Sequence, residues 1–266
     1  MARKDSFDSD RFGKYFSFEL EETVRSQGLF VLLSGLVPLI FFIISVIFSL
    51  LYDHENLEDF WSGYFIFKIL IATVAFVLFF LVFPIVRYGN LTDRREGVMP
   101  VLLPASHTEK FFCSVLVSVI IAPVVFLTLY LGSDAVLSAL FPLSGKSLAG
   151  YFLEYKLVSY NEEFGFSLAG TYAFFLPPMV SFAGLAGGAL FKKNKITKTF
   201  FSCAVAFILF FMVVISIIDS LYMSMSAEQT AEMVVSNCTW FWYTVQAVTA
   251  AGFGIYYWKR TRTIEL

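Results

Sequence analysis

Residues 1–11 are polar, and from Phe12 the apolar positions Phe12, Phe16, Leu20 and Val24 recur every fourth residue. Lys14, Glu21, Glu22 and Arg25 occupy the positions between them. That spacing predicts a helix over 12–27 with one apolar stripe, the pattern of a helix lying in a membrane interface. Long apolar runs follow at 29–52, 64–86, 111–132, 166–191, 199–221 and 238–258. Each holds about 20 to 26 residues, enough at 1.5 Å per residue to cross a hydrocarbon core of about 30 Å. The pattern predicts an all-α, polytopic membrane protein: one transmembrane domain over 1–266, with six transmembrane helices and an N-terminal interfacial amphipathic helix. Trp61, Tyr64, Trp240, Trp242, Tyr256, Tyr257 and Trp258 fall at predicted span ends, as an aromatic belt does. The stretch 133–165 reads as an external loop, interrupted by Pro142, Gly145 and Lys146, with room for short interfacial helices in its apolar parts.

Charge fixes the orientation. All Lys and Arg except Lys68, Lys146 and Lys156 sit in or beside four segments between the runs. These hold Arg3, Lys4, Arg11, Lys14 and Arg25; Arg87, Arg94, Arg95 and Lys110; Lys192, Lys193, Lys195 and Lys198; and Lys259, Arg260 and Arg262. Two segments between them carry Asp53, Glu55, Glu58 and Asp59, or Glu228 and Glu232, with no base. Cationic loops stay in the cytoplasm, so both termini are expected there.

Composition agrees. The chain is 58% hydrophobic with a mean hydropathy of +0.74, above the roughly half-apolar norm of soluble domains. A net charge of −2 gives no basic field for nucleic acid. Cys113 and Cys203 fall near the cytoplasmic ends of predicted spans and Cys238 near the outer face, so no disulfide framework is expected. Lys68 is read as snorkelling from the second span to the outer interface, and Asp219 as an anchor near the end of the fifth. Pro38, Pro84, Pro123, Pro177 and Pro178 predict kinks, most strongly at the double proline. Gly184 and Gly188 in the fourth run, and Ala250 and Gly254 in the sixth, are small residues four apart, the spacing that lets helices approach closely.

Familiar catalytic chemistry is missing from the pattern. Gly145-Lys146-Ser147 lacks the first glycine of a phosphate-binding loop, since position 140 is Leu. With two histidines in the chain, His107-Thr108-Glu109 has no partners at zinc-ligand spacing. No nucleophile elbow and no pair of mid-span carboxylates occurs. The reading is therefore not an enzyme, with no cofactor and no metal. The distinctive segment is 92–110, predicted cytoplasmic. It runs from charged Arg94, Arg95 and Glu96 through Gly97 and an apolar stretch at 98–103 that includes Leu102 and Leu103. Pro104 follows, and Ser106 and Glu109 form a Ser-x-x-Glu capping box ahead of Lys110. An apolar stretch in a cytoplasmic loop should dock on a partner or on the membrane.

Glu96, Gly97, Leu103, Pro104, Ser106 and Lys110 match the pattern of the segment between spans two and three in type 2 ABC transporter permeases, which the chain resembles. The Leu-Pro-Ala-Ser-x-x-Glu-Lys-Phe form, with Phe-Lys-Lys-Asn-x-x-x-Lys-Thr at 191–199, looks like the subset found in Bacteroidetes-type bacteria. The motif covers about twenty residues, while the expected layout of helices matches over the whole chain. The resemblance implies a multi-pass permease subunit of the bacterial inner membrane, paired with a second permease as a homo- or heterodimer. A separate ABC ATPase would dock on 92–110. Arg94, Arg95 and Glu96 would make polar contacts to it, the 98–103 stretch would fill its apolar groove, and Pro104 would set the corner. The external loop at 133–165 is a departure, since the family often places external helices between spans five and six.

Two other readings remain open on the residues: a non-transporting membrane sensor or accessory subunit with the same fold, and a membrane-embedded enzyme acting on lipids. An ATPase encoded beside this chain would separate transport from sensing. Charge asymmetry also makes a direct prediction. Cysteines at Lys146 or Glu228 should react with a membrane-impermeant thiol reagent in intact cells, and cysteines at Arg95 or Lys195 should not. Labelling of Arg95→Cys from outside would overturn the six-span layout.

Overall fold

The computed structural model describes residues 7–51, 57–89, 105–141, 145–151, 168–224 and 227–265. Among them the fold is all-α. The α-helices are α1 (Ser9–Gly35), α2 (Val37–Leu51), α3 (Leu57–Tyr88), α4 (His107–Val115), α5 (Ala122–Leu140), α6 (Leu168–Leu190), α7 (Lys195–Ser224) and α8 (Ala227–Glu265). A π-helical segment, Leu116–Ile121, joins α4 to α5, so helix is continuous over His107–Leu140. Among the described residues, Gly63–Tyr88 and His107–Leu140 are long and apolar enough to cross a membrane. The bent pair α1 and α2 adds a third if it forms one span. The chain divides into two compact units, residues 1–80 with 108–158, and residues 81–107 with 159–266.

In the first unit, helix begins earlier than the apolar stripe implied. The Asp8 carboxylate accepts from the backbone N–H of Asp10 (3.0 Å) and Arg11, capping α1 at Ser9. Phe12, Phe16 and Leu20 are half-buried, but Val24 is 70% exposed, while Glu19 and Thr23 are buried. Nor does the helix stop at residue 27. It runs on to Gly35 and bends by 46° into α2. The break falls at Leu36 (φ −90°, ψ 5°), and Pro38 contributes to it by offering no N–H to the preceding turn.

Aromatic rings fill the middle of this unit. Phe79 stacks on Phe126 with centroids 4.0 Å apart and on Phe30 at 5.8 Å. Phe76 meets Tyr130 (5.0 Å) and Phe126 (5.5 Å) edge-on. Lipid tails are as apolar as these side chains, so close packing, not expulsion from water, holds such helices together inside a bilayer. Tyr64, assigned from the sequence to an interfacial belt, is 3% exposed and packs with Phe42 and Leu137. The π segment was not foreseen. Its turn opens ahead of Pro123, where Ala122 N–H bonds Val117 five residues back, which leaves room for the proline ring.

The helix also continues eight residues beyond the expected loop start at 133, to Leu140. Gly132-Ser133-Asp134 looks like a turn in the sequence, yet its polar groups are satisfied within helix packing. The Ser133 hydroxyl donates to the carbonyls of Tyr130 and Gly35, each at 2.9 Å. Ser147 accepts from Gly150 N–H (3.1 Å) and caps a helical turn. That gives the serine of the decoy Gly-Lys-Ser a local structural role.

In the second unit, glycines set the helix crossings. A Cβ at Gly184 would lie 2.6 Å from the Leu81 carbonyl oxygen and 3.3 Å from the Pro84 ring. One at Gly188 would lie 3.1 Å from Gly89 Cα. Gly187, which the four-residue spacing passes over, lies tightest of all, against Thr199. One at Gly254 would meet the Phe182 ring at 3.4 Å, and Ala250 is half-buried. Leu81, Ile85 and Ala183 form the buried cluster at this crossing. The α6–α7 turn closes at Asn194, whose φ of 52° falls in the left-handed region that asparagine tolerates.

Substitution separates contact from helix propensity. Gly184→Ala should destabilise the purified protein by roughly 1–3 kcal/mol, because a backbone carbonyl blocks the new methyl. Gly252, with nothing within 4 Å of its Cβ position, should accept alanine neutrally or gain up to about 1 kcal/mol. Melting temperatures of both variants in one detergent decide it. Equal shifts would mean that the α3–α6 crossing tolerates a wider spacing.

Candidate functional site: charge clusters at the helix ends

Of the residues expected to contact an ATPase, Arg94, Arg95, Glu96, Gly97, Leu102, Leu103 and Pro104 lie outside the described residues. Ser106, Glu109 and Lys110 lie within them. Ser106 is 8% exposed, Glu109 is completely buried, and Lys110 is half-buried. The Glu109 carboxylate is engaged within the chain. Its Oε2 accepts from Arg11 Nε at 2.8 Å, and its Oε1 accepts from Arg11 Nη2 at 2.6 Å and from Asp8 N–H at 2.9 Å. This is a bidentate fork with one further backbone donor, the geometry in which a buried carboxylate is best compensated. It joins the N-terminal cap of α1 to the first turn of α4.

Glu109 raises the Arg11 pKa above its already high ordinary value, chiefly through the side-chain hydrogen bond, with desolvation opposing it. A raised pKa in a cation keeps its stabilisation at every lower pH and gives it up only on passing the folded-state value. Alkali within the working range therefore does not release this contact from the Arg11 side.

A second cluster lies 25 residues further along the same continuous helix, about 38 Å at 1.5 Å per residue. Asp134 Oδ1 pairs with Lys68 Nζ at 2.7 Å, the two side chains being 0% and 4% exposed. Lys68 Nζ also donates to the Lys146 carbonyl at 3.0 Å and to the Ser138 hydroxyl at 3.3 Å. Asp134 Oδ2 accepts from Leu148 N–H at 2.6 Å. The snorkelling lysine expected from the sequence is thus an internal one. Its stem does not reach for an interface because a carboxylate, a hydroxyl and a carbonyl already occupy its ammonium. Tyr151 packs edge-on against Phe65 at 5.1 Å, and Gly145 turns with φ 72° beside the same ring. The segment 145–151 is therefore fastened to α3 and α5 by this pair. Sequence reading missed Asp134 as a partner. The available signal was that 111–133 and 69–86 carry no charge, so Lys68 and Asp134 each end an uncharged run of membrane-spanning length.

In the second unit, Gly89 and His107 each hold a distant partner. Lys195 Nζ donates to the Gly89 carbonyl at 2.6 Å. The His107 ring is 2.9 Å from the Thr261 hydroxyl and packs edge-on to Trp258 with centroids 4.5 Å apart. Cys113 and Cys203 are thiols without a disulfide. Among the described residues no three His, Cys, Asp or Glu side chains gather where they could hold a metal ion. No protein-family model, curated protein or solved structure matches this chain.

The buried pair yields a stability prediction. Asp134→Ala leaves a buried ammonium without its counterion and should cost about 3–5 kcal/mol. Replacing both members, as Lys68→Met with Asp134→Leu, should recover part of that loss. The Leu148 N–H then goes unpaired, at a cost of about 1–3 kcal/mol. Thermal unfolding in detergent micelles measures both, and wild-type stability of Asp134→Ala would contradict the buried pair.

Proposed function

We propose that this chain is the membrane-spanning permease subunit of an ABC-type transporter, serving export. It has six spans and both termini on the cytoplasmic side, and a separate ATPase subunit docks on residues 92–110. A second permease subunit completes the pathway. The observation that carries the reading is the segment 92–110 itself: a charged cluster, an apolar stretch, then Pro104 and Ser106. It joins the two helices that meet the length and apolarity of membrane spans.

Further support comes from the contacts at its ends. Each unit pairs some of the basic segments within itself: in the first, Glu109 receives Arg11, and in the second, Gly89 receives Lys195 and His107 meets the C-terminal helix at Thr261. The Lys68–Asp134–Lys146 contacts lie at the far end of the uncharged runs 69–86 and 111–133. In this reading, closure of the ATPase pair draws 92–110 with it. The segment acts as a lever on α3 and on the helix that starts at His107. Because Glu109 is bonded to Arg11, the same displacement reaches α1. Coupling of this kind requires contacts whose free energy differs between the two states.

The test is a pull-down of the ATPase encoded beside this chain. Leu102→Asp should abolish recovery while leaving the permease folded in the membrane, because an unpaired carboxylate in an apolar groove costs several kcal/mol. Arg94→Ala should give a weaker defect that depends on salt, as a rim charge is screened. Equal recovery by wild type and Leu102→Asp would remove the docking segment. Failure of wild type to recover any ATPase would favour the sensor or accessory reading.

A further inference from the structure

Among its described residues, the second unit has a strongly one-signed end. Its described side chains include Arg87, Lys192, Lys193, Lys195, Lys198, Lys259, Arg260 and Arg262, and no Asp or Glu. In the sequence, 192–198 and 256–264 are free of acids, and the nearest is Glu265. Helix counting puts these bases at one level. Gly188 meets Gly89 and Gly184 meets Leu81, so α3 and α6 run in parallel and finish together. From the turn at 191–194, α7 runs away for 30 residues, about 45 Å, and α8 returns through 39 residues. Phe253 of α8 packs at the Leu81–Ile85–Ala183 level, so Lys259 and Arg260 come about two turns later, near the level of Gly188.

Lysines in a turn are ordinarily a solvated face that topology alone explains. Here their surroundings argue for more. Lys192, Lys193 and Lys198 are exposed, and each stands within two turns of large apolar side chains that are also exposed: Leu190 (49%), Ile196 (43%), Phe200 (50%) and Phe201 (69%). Ile255 and Tyr256 do the same beside Lys259. An acidic protein partner would satisfy the ammonium groups but would leave the phenylalanines uncovered. A phospholipid satisfies both, its acyl chains covering the rings and its phosphate meeting the bases. Lys195 is already turned inward onto the Gly89 carbonyl, and Arg260 Nε is buried with no hydrogen-bond partner among the described residues.

We infer that the basic end of the second unit, centred on Lys192, Lys193 and Lys198, is a binding surface for anionic phospholipid headgroups of the leaflet it faces. The inference rests on the six-span reading for which leaflet that is, but not for the binding itself.

The experiment uses the full chain purified in a nonionic detergent, with native mass spectrometry counting bound lipid and a melting curve run in parallel. Phosphatidylglycerol should bind and raise the melting temperature, and phosphatidylcholine of the same acyl length should do so far less. The triple variant Lys192→Gln, Lys193→Gln, Lys198→Gln should lose phosphatidylglycerol by at least about fivefold, the partition expected from even one base near an anionic surface. The triple Lys→Arg variant should retain it. Raising the salt to about 0.5 M should weaken binding, since the Debye length falls to a few ångström. Equal binding of the two lipids would overturn the inference, as would undiminished phosphatidylglycerol on the Gln variant. A shift given equally by soluble glycerophosphate would reduce the surface to a phosphate site and remove the lipid. Thiol labelling of Lys193→Cys in intact cells tests the leaflet separately, so a wrong topology and a wrong ligand give different results.

Discussion

A cation that cannot reach water must find its counterion inside the protein, and Lys68 does. Its pairing with Asp134, 2.7 Å away and sealed from solvent, fixes the register of α3 against α5. Removing either member leaves the other at a cost comparable to much of a domain's net stability. The rest of the first unit follows from that register. The aromatic stack of Phe79 on Phe126 and the edge contact of Phe76 with Tyr130 lie on the same two helices. The segment 145–151 is fastened by the same two charged groups.

The all-α class was legible from the sequence, because apolar runs of spanning length read as helix. Two of the six expected spans, or three if α1 and α2 form one, have counterparts long and apolar enough to cross a membrane among the described residues. Four-residue spacing also marked Gly184 and Gly188, which approach α3 closely. What escaped was whatever depended on a distant partner. Asp134 sits after Gly132 and Ser133 and reads locally as a loop; only Lys68, a helix away, makes it part of a helix. Tyr64 reads as an interfacial aromatic until Phe42 and Leu137 are seen to enclose it. Val24 keeps the period of the α1 stripe and yet is exposed, since a period says which residues share a face and not what covers it. Glu109 fits a capping box on sequence grounds, whereas its carboxylate receives Arg11 from 98 residues upstream. The residues 92–104, which carry the resemblance to permeases, lie outside the described residues, so that part of the candidate site rests on sequence.

The two charge clusters divide the work of the helix His107–Leu140. Each lies at one end, and the stretch between them carries no charge over 111–133. Such a helix is held by polar contacts at its ends and by ring packing along its length. Inside that length, Pro123 and the π segment are the irregularity, and Ser118 there donates to the Ser114 carbonyl at 2.6 Å, so that carbonyl has a side-chain partner within the irregular stretch.

The Arg11–Glu109 contact also has a consequence for biosynthesis. Glu109 leaves the ribosome only after the chain has grown by 98 residues beyond Arg11. At about 5–20 residues per second, the N-terminal helix waits roughly 5–20 s for its acceptor. During that interval α1, α2 and α3 are made while the carboxylate that Arg11 will hold does not yet exist. The N-terminus is therefore among the last parts of the first unit to lock, although it is the first to be made, and its order is set by the arrival of the third apolar run.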